Sequence, residues 1–194
     1  MIHEIFSNYL YFLISPPNKE EILSVRNIKV EEIDTSNLEW IKECEVKVEI
    51  LDEDKISSLL KPSLLIFFKE LGIRRIPKIT LMSSWKNTYT RGSFQEIHDH
   101  LHTVDDSHLS GCIFLDDYNS DASQFYFYNR HCSEVSEPWR MMMEDIGYPF
   151  KDCVVKPKKG DIIFFPSHML HGVTPHRMDE PRTTISFNIH LSFS

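Results

Sequence analysis

Hydrophobic and polar positions follow two rhythms along the chain, and the change falls at Pro77. Before it, short strand-like and helix-like patterns mix. Residues 5–14 are apolar and aromatic and end at Pro16-Pro17, and residues 17–25 then read as a helix. Residues 45–51 alternate as a half-buried strand does. Asp52-Glu53-Asp54 places acid where a helix dipole favours it, and the helix predicted there runs to about Leu71 and stops at Gly72. Pro62 lies inside it, which predicts a kink or two helices rather than one straight rod.

After Pro77 strand patterns succeed one another: 78–85, an alternating stretch at 93–102, 109–115, 124–128, 160–166 behind a charged turn at 156–159, and a long last strand at 183–193. Short strands parted by turn signals, after a helical N-terminal part, predict a mainly β fold with some α: a sandwich or barrel with the N-terminal helices packed on one side. Residues 129–152 contain Pro138, Trp139, Met141-Met142-Met143 and Pro149 and read as an irregular insertion, more often a lid or rim than core. Trp139 and the methionines are expected to pack within that insertion rather than to wall a substrate site. No repeat or linker breaks the chain, so residues 1–194 are expected to form one domain, with its barrel core at about 78–192.

Composition narrows the function. The chain has 194 residues, 41% hydrophobic and 26% charged, and a formal net charge of −8, with a pI near 5.7. That is long enough for a full core, and the acidic balance argues against nucleic acid and against an anionic membrane surface. Cys44, Cys112, Cys132 and Cys153 show no CxxC pair, so neither a zinc knuckle nor a disulfide framework is indicated. With no apolar run near the ~20 residues of a membrane span and no signal-peptide pattern, a cytoplasmic protein with reduced thiols is expected. Its partner is expected to be a small-molecule or peptide substrate; the oligomeric state is not legible.

The ten histidines are informative by position. His98, His100 and His102 recur at every second residue, so on a strand they share one face and two imidazoles at i and i+2 can converge on one metal. The plain alternative is a polar strand face rich in histidine. His168 and His171 follow the apolar stretch 160–166, a good way to deliver a ligand to a barrel mouth. Eleven residues beyond His171, Arg182 opens the last strand with Thr184 and Ser186 on its own face, opposite the apolar Ile185 and Phe187. A guanidinium among hydroxyls needs an anion. It can be a bound carboxylate, which arginine grips with two parallel hydrogen bonds, or an acidic side chain elsewhere in the fold.

Taken together, Trp85-x-Asn87-x-Tyr89-x-x-Gly92-x-Phe94-Gln95-Glu96-x-His98-x-His100, Leu109-Ser110-Gly111, Gly160-Asp161 through Phe165-Pro166 to His171-Gly172-Val173-x-Pro175, and Arg182-x-Thr184-x-Ser186-Phe187-Asn188 resemble the iron(II)- and 2-oxoglutarate-dependent dioxygenases. The branch that looks nearest holds small oxygenases of bacteria and phages related to the prolyl-hydroxylase-like group. The resemblance covers about residues 78–192 and implies a double-stranded β-helix, a jelly-roll barrel. It implies Fe(II), 2-oxoglutarate and O2 as cofactor and cosubstrates, and hydroxylation of a substrate with release of succinate and CO2. By position, His98 and His171 become metal ligands, Arg182 and Thr184 hold the far carboxylate of 2-oxoglutarate, and Asn87 and Tyr89 join the cosubstrate pocket.

One position departs from the usual His-x-Asp pair: residue 100 is histidine. Three arrangements satisfy the pattern. His98, His100 and His171 form a three-histidine site, which the branch favours; Asp99 reaches the metal through a bulge; or water stands in for the carboxylate. His102 and His168 read as rim residues. His108, His131, His176 and His190 read as surface or structural. Leu109-Ser110-Gly111 keeps a small residue either for the pocket or for packing. Two other functions fit parts of the pattern: a three-histidine cupin-type metalloprotein that does not use 2-oxoglutarate, which leaves Arg182 without a role, and a non-catalytic jelly-roll binding module.

Overall fold

Alternation along the long strands sends one set of side chains toward helices and the other into a cavity. The computed structural model describes residues 10–28, 44–101, 106–129, 136–145 and 152–193. Its elements are β1 (Phe12–Ile14), α1 (Lys19–Ser24) continued by a 3-10 turn, β2 (Lys47–Ile50), α2 (Glu53–Glu70), β3 (Lys78–Tyr89), β4 (Gln95–His98), β5 (Leu109–Phe114), β6 (Phe125–Phe127), α3 (Glu137–Asp145), β7 (Cys153–Val154), β8 (Ile162–Pro166), β9 (His171–Val173) and β10 (Arg182–Ser192). They build a six-stranded sheet in the order β1-β8-β5-β10-β3-β2 and a four-stranded sheet in the order β4-β9-β6-β7. The paired strands run antiparallel. Two antiparallel sheets arranged this way form the double-stranded β-helix.

β10 lies centrally in the large sheet. Its Ile185, Phe187 and Ile189 join Ile113, Ile162 and Phe164 on one face, and α2 covers that face with Ile56, Leu60, Leu64, Phe67 and Phe68. Its other face, Arg182, Thr184, Ser186 and Asn188, looks toward the small sheet. There Phe125, Phe127 and Val173 meet Phe114, Ile163 and Phe165 of the large one.

α2 starts where its acidic cap stands: Asp52 accepts from the Lys55 N–H at 2.9 Å. It ends at Gly72, whose φ of +69° glycine adopts without strain. Of the kink or two helices expected at Pro62, the second does not occur: one helical element runs across the proline. A proline inside a helix costs about 3 kcal/mol, whereas each of the five apolar side chains it buries contributes about 1.5–3 kcal/mol, so packing wins.

Other differences are local. β1 and β2 come from before residue 78 and pair with β8 and β3, so the N-terminal part extends the sheet as well as covering it. The three-residue β9 was not among the expected strands. Within the expected irregular insertion, residues 137–145 form a helix whose Trp139, Met141 and Met142 are exposed rather than packed. Residues 5–9, His102 and His131 lie outside the described residues. Among the described residues no helix is long and apolar enough to cross a membrane.

Candidate metal centre

Three histidines meet between the sheets. His98 closes β4, His171 opens β9 directly opposite it in register, and His100 sits in the bend after β4. One ring nitrogen from each lies within 4.8 Å of the others, and the His98–His171, His98–His100 and His100–His171 ring centroids are 4.3, 5.3 and 5.1 Å apart. The sequence expectation of one strand carrying both His98 and His100 is corrected here. β4 stops at His98, and the His100 N–H is turned to the Ser167 carbonyl at 2.9 Å. Asp99 is not in the cluster: its carboxylate accepts from the Leu101 N–H at 3.1 Å.

Hydrogen bonds set the tautomer of all three rings. Nδ1 of His98 faces the Glu96 carbonyl at 2.8 Å, Nδ1 of His171 faces the Met169 carbonyl at 2.8 Å, and Nδ1 of His100 faces Oδ1 of Asn188 at 2.5 Å. A carbonyl oxygen can only accept, so each Nδ1 carries the proton and each Nε2 keeps its lone pair, the form a divalent metal takes. Burial also favours the neutral rings. It lowers the His98 pKa, brings that of His100 down to about 4, and holds that of His171 well below its ordinary value, the neighbouring imidazoles adding to the last two.

Beside the histidines lies a buried cation. Arg182 is 6% exposed, and its guanidinium lies 5.9 Å from the centre of the Tyr89 ring and 5.6 Å from that of Phe114. Its polar contact is with Ser123 Oγ at 3.3 Å. The expected alternative, an internal salt bridge, is not found among the described residues. Asp116, whose charge acts on it, pairs instead with Arg26 and the Thr183 N–H. The cleft that Arg182 shares with His98, His100 and His171 is lined by Thr184 and Ser186 and, among the described residues, by no acidic side chain. Trp85 lines it too, and its indole N–H is buried without an acceptor among the described residues. A cation without an anion and a donor without an acceptor fit an oxygen-rich anion such as 2-oxoglutarate, and neutral Nε2 atoms fit iron(II).

Of the residues assigned to the cosubstrate pocket, Tyr89 and Thr184 line the cleft. Asn87 does not; its amide donates to Ser186 Oγ at 3.0 Å, so it supports a lining residue. Gln95 received no role from the sequence, yet it accepts from the Tyr89 hydroxyl at 3.2 Å and brings its amide nitrogen within 3.5 Å of His98 Nε2. Strict alternation puts residues 95 and 98 on opposite faces, but the register shifts between them, and that irregularity turns both inward. Cys112 also faces the cleft, its thiol pushed up to about 11 by burial.

The remaining candidates are structural. A Cβ on Gly111 would stand 2.3 Å from Phe187 Cζ and 2.4 Å from the Ile163 carbonyl, so sheet packing requires glycine at a position that also lines the cleft. His176 is buried, accepting from the Ser123 N–H and facing the Glu180 carbonyl, and His168 is exposed. Asp106, His108 and His190 gather at the surface as a second set of possible donors. His108 Nδ1 accepts from the Leu191 N–H, which puts its proton on Nε2. The atom facing the Asp106 carboxylate is then a hydrogen-bond donor, not a ligand.

The sequence profile of the family described as "Putative 2OG-Fe(II) oxygenase" matches residues 83–188, more than half of the chain. No curated protein sequence matches it. Solved structures do match in fold. HygX from Streptomyces hygroscopicus, with nickel and 2-oxoglutarate bound, aligns with a TM-score of 0.62 at 14% identity over 96% of this chain and 84% of its own. The epimerase SnoN of nogalamycin biosynthesis, named as dependent on alpha-ketoglutarate, aligns at 0.60 and 12% over 94% and 77%. A Pseudomonas putida prolyl-4-hydroxylase aligns at 0.57 and 11% over 95% and 93%.

Proposed function

The chain belongs to the 2OG-Fe(II) oxygenase family, whose members use Fe(II), 2-oxoglutarate and O2, and from that membership we propose that it hydroxylates a small-molecule or peptide substrate with release of succinate and CO2. When bound, iron(II), 2-oxoglutarate and dioxygen supply the oxidising chemistry for an unactivated C–H bond. The protein supplies binding, orientation and exclusion of water.

In this reading His98, His100 and His171 hold the metal through Nε2, each ring locked by its Nδ1 hydrogen bond. Arg182 receives the far carboxylate of 2-oxoglutarate, aided by Thr184, and the Tyr89 and Phe114 rings keep the guanidinium in place. Asn87 steadies Ser186 behind them. The observation that carries the reading is the pairing of three neutral imidazoles with a buried arginine that has no acidic partner among the described residues. A three-histidine metalloprotein that ignores 2-oxoglutarate gives that arginine nothing to bind.

Anaerobic addition of Fe(II) and 2-oxoglutarate to the metal-free protein is expected to produce a visible charge-transfer band. Admission of oxygen should then release succinate. Iron bound with no band and no succinate would favour the cupin-type alternative. With a substrate, a product heavier by one oxygen atom marks hydroxylation, and a product of unchanged mass marks epimerisation.

A further inference from the structure

His98 and His171 are oriented locally, each by the main-chain carbonyl two residues before it. His100 is different. It lies outside the strand, and its Nδ1 is held by the side chain of Asn188, 88 residues away on β10. We infer that Asn188 is a positioning residue that makes His100 a metal ligand, and that a buried chain of serine hydroxyls fixes the orientation of its amide. The inference rests on the metal centre proposed above.

The chain is continuous. Ser110 Oγ donates to Asn188 Oδ1 at 2.9 Å, and Asn188 Nδ2 donates to Ser83 Oγ at 3.3 Å. Ser83 and Ser110 stand opposite Asn188 on β3 and β5, so all three side chains look the same way. Ser110 is 2.9 Å from Ser167 Oγ, which is 2.8 Å from Ser107 Oγ, and the carbonyl of that same Ser167 receives the His100 N–H at 2.9 Å. Ser167 thus holds the backbone of His100 directly and its ring by way of Ser110 and Asn188. The Trp85 ring stacks on the imidazole at 6.2 Å and 25°, limiting tilt. The orientation of the Asn188 amide decides the chemistry. With Oδ1 toward the ring, Nδ1 is protonated and Nε2 can bind a metal; with Nδ2 toward it, the proton moves to Nε2 and the ligand is lost.

The test uses the full-length metal-free protein titrated with Co(II) against a competing chelator. Wild type is expected to bind and His171→Ala to lose binding. Asn188→Leu should weaken binding on the order of 10–100-fold, as loss of a partner behind a metal-bound histidine does. Asn188→Asp, which keeps the acceptor, should restore it, and Ser110→Ala should fall between wild type and Asn188→Leu. Wild-type affinity in Asn188→Leu, or no rescue by aspartate, overturns the inference while leaving the metal centre standing. No Co(II) binding by wild type, or no loss in His171→Ala, overturns both. If Asn188→Leu does not fold, long-range 1H–15N spectra of the wild-type rings decide. A proton on Nδ1 of His100 upholds the inference, and a proton on Nε2 overturns it.

Discussion

At the scale of single residues, three imidazoles share one buried space, and the price is paid in acid. An ordinary histidine titrates near 6.5, whereas burial brings His100 down to about 4. Between those values the unfolded chain binds a proton that the native protein refuses. Native stability is therefore complete above about pH 6.5 and falls as pH drops toward 4. At pH 5 His100 alone costs about 2 kcal/mol, since each pH unit across this window is worth about 1.36 kcal/mol. His98 and His171 shift in the same direction. The urea midpoint of the metal-free protein should accordingly fall from pH 7.5 to 5, and His100→Gln should flatten that fall. A wild-type midpoint indifferent to pH would mean that the rings are not buried as neutral groups.

At the scale of elements, Gly111 is where β5 meets both neighbours, β10 and β8. A methyl group there meets Phe187 at 2.3 Å and the Ile163 carbonyl at 2.4 Å, and a backbone oxygen cannot step aside as a side chain can. Gly111→Ala is expected to destabilise by about 3 kcal/mol or more, at or beyond the upper end of ordinary overpacking, read as a lowered denaturation midpoint. What the sequence made legible at this scale follows from length. Strands of five or more residues announce themselves by pattern, β10 by alternation and β8 as an unbroken apolar run, and with them came the placing of His171 and of Arg182 with Thr184. β9 has three residues, too few for any period to show. Gln95 was hidden because a register shift breaks the parity that alternation relies on. Trp85 and Cys112 were hidden because buried aromatic and thiol side chains look like core until a cavity is seen beside them. Asn188 was out of reach because its partner stands 88 positions away.

At the scale of the whole molecule, the cleft joins parts that the backbone keeps separate. His98 and His171 belong to the small sheet, Arg182 and Thr184 to β10 of the large one. An ion bound by the histidines and an acid gripped by Arg182 would clamp the two sheets together. Binding to the native state alone adds about 2.7 kcal/mol at a hundred times the dissociation constant. At roughly 2–4 °C per kcal/mol for a chain of this size, that raises the melting temperature by about 5–10 °C. Under anaerobic conditions Fe(II) should therefore raise the melting temperature, and 2-oxoglutarate should raise it further only when the metal is present. Arg182→Met, which fills the same space without charge, should keep the increment from iron and lose the increment from 2-oxoglutarate, because the two ligands hold on to different sheets. Equal loss of both increments would mean that Arg182 supports the barrel itself rather than the acid, and the anion site would have to be sought elsewhere in the cleft.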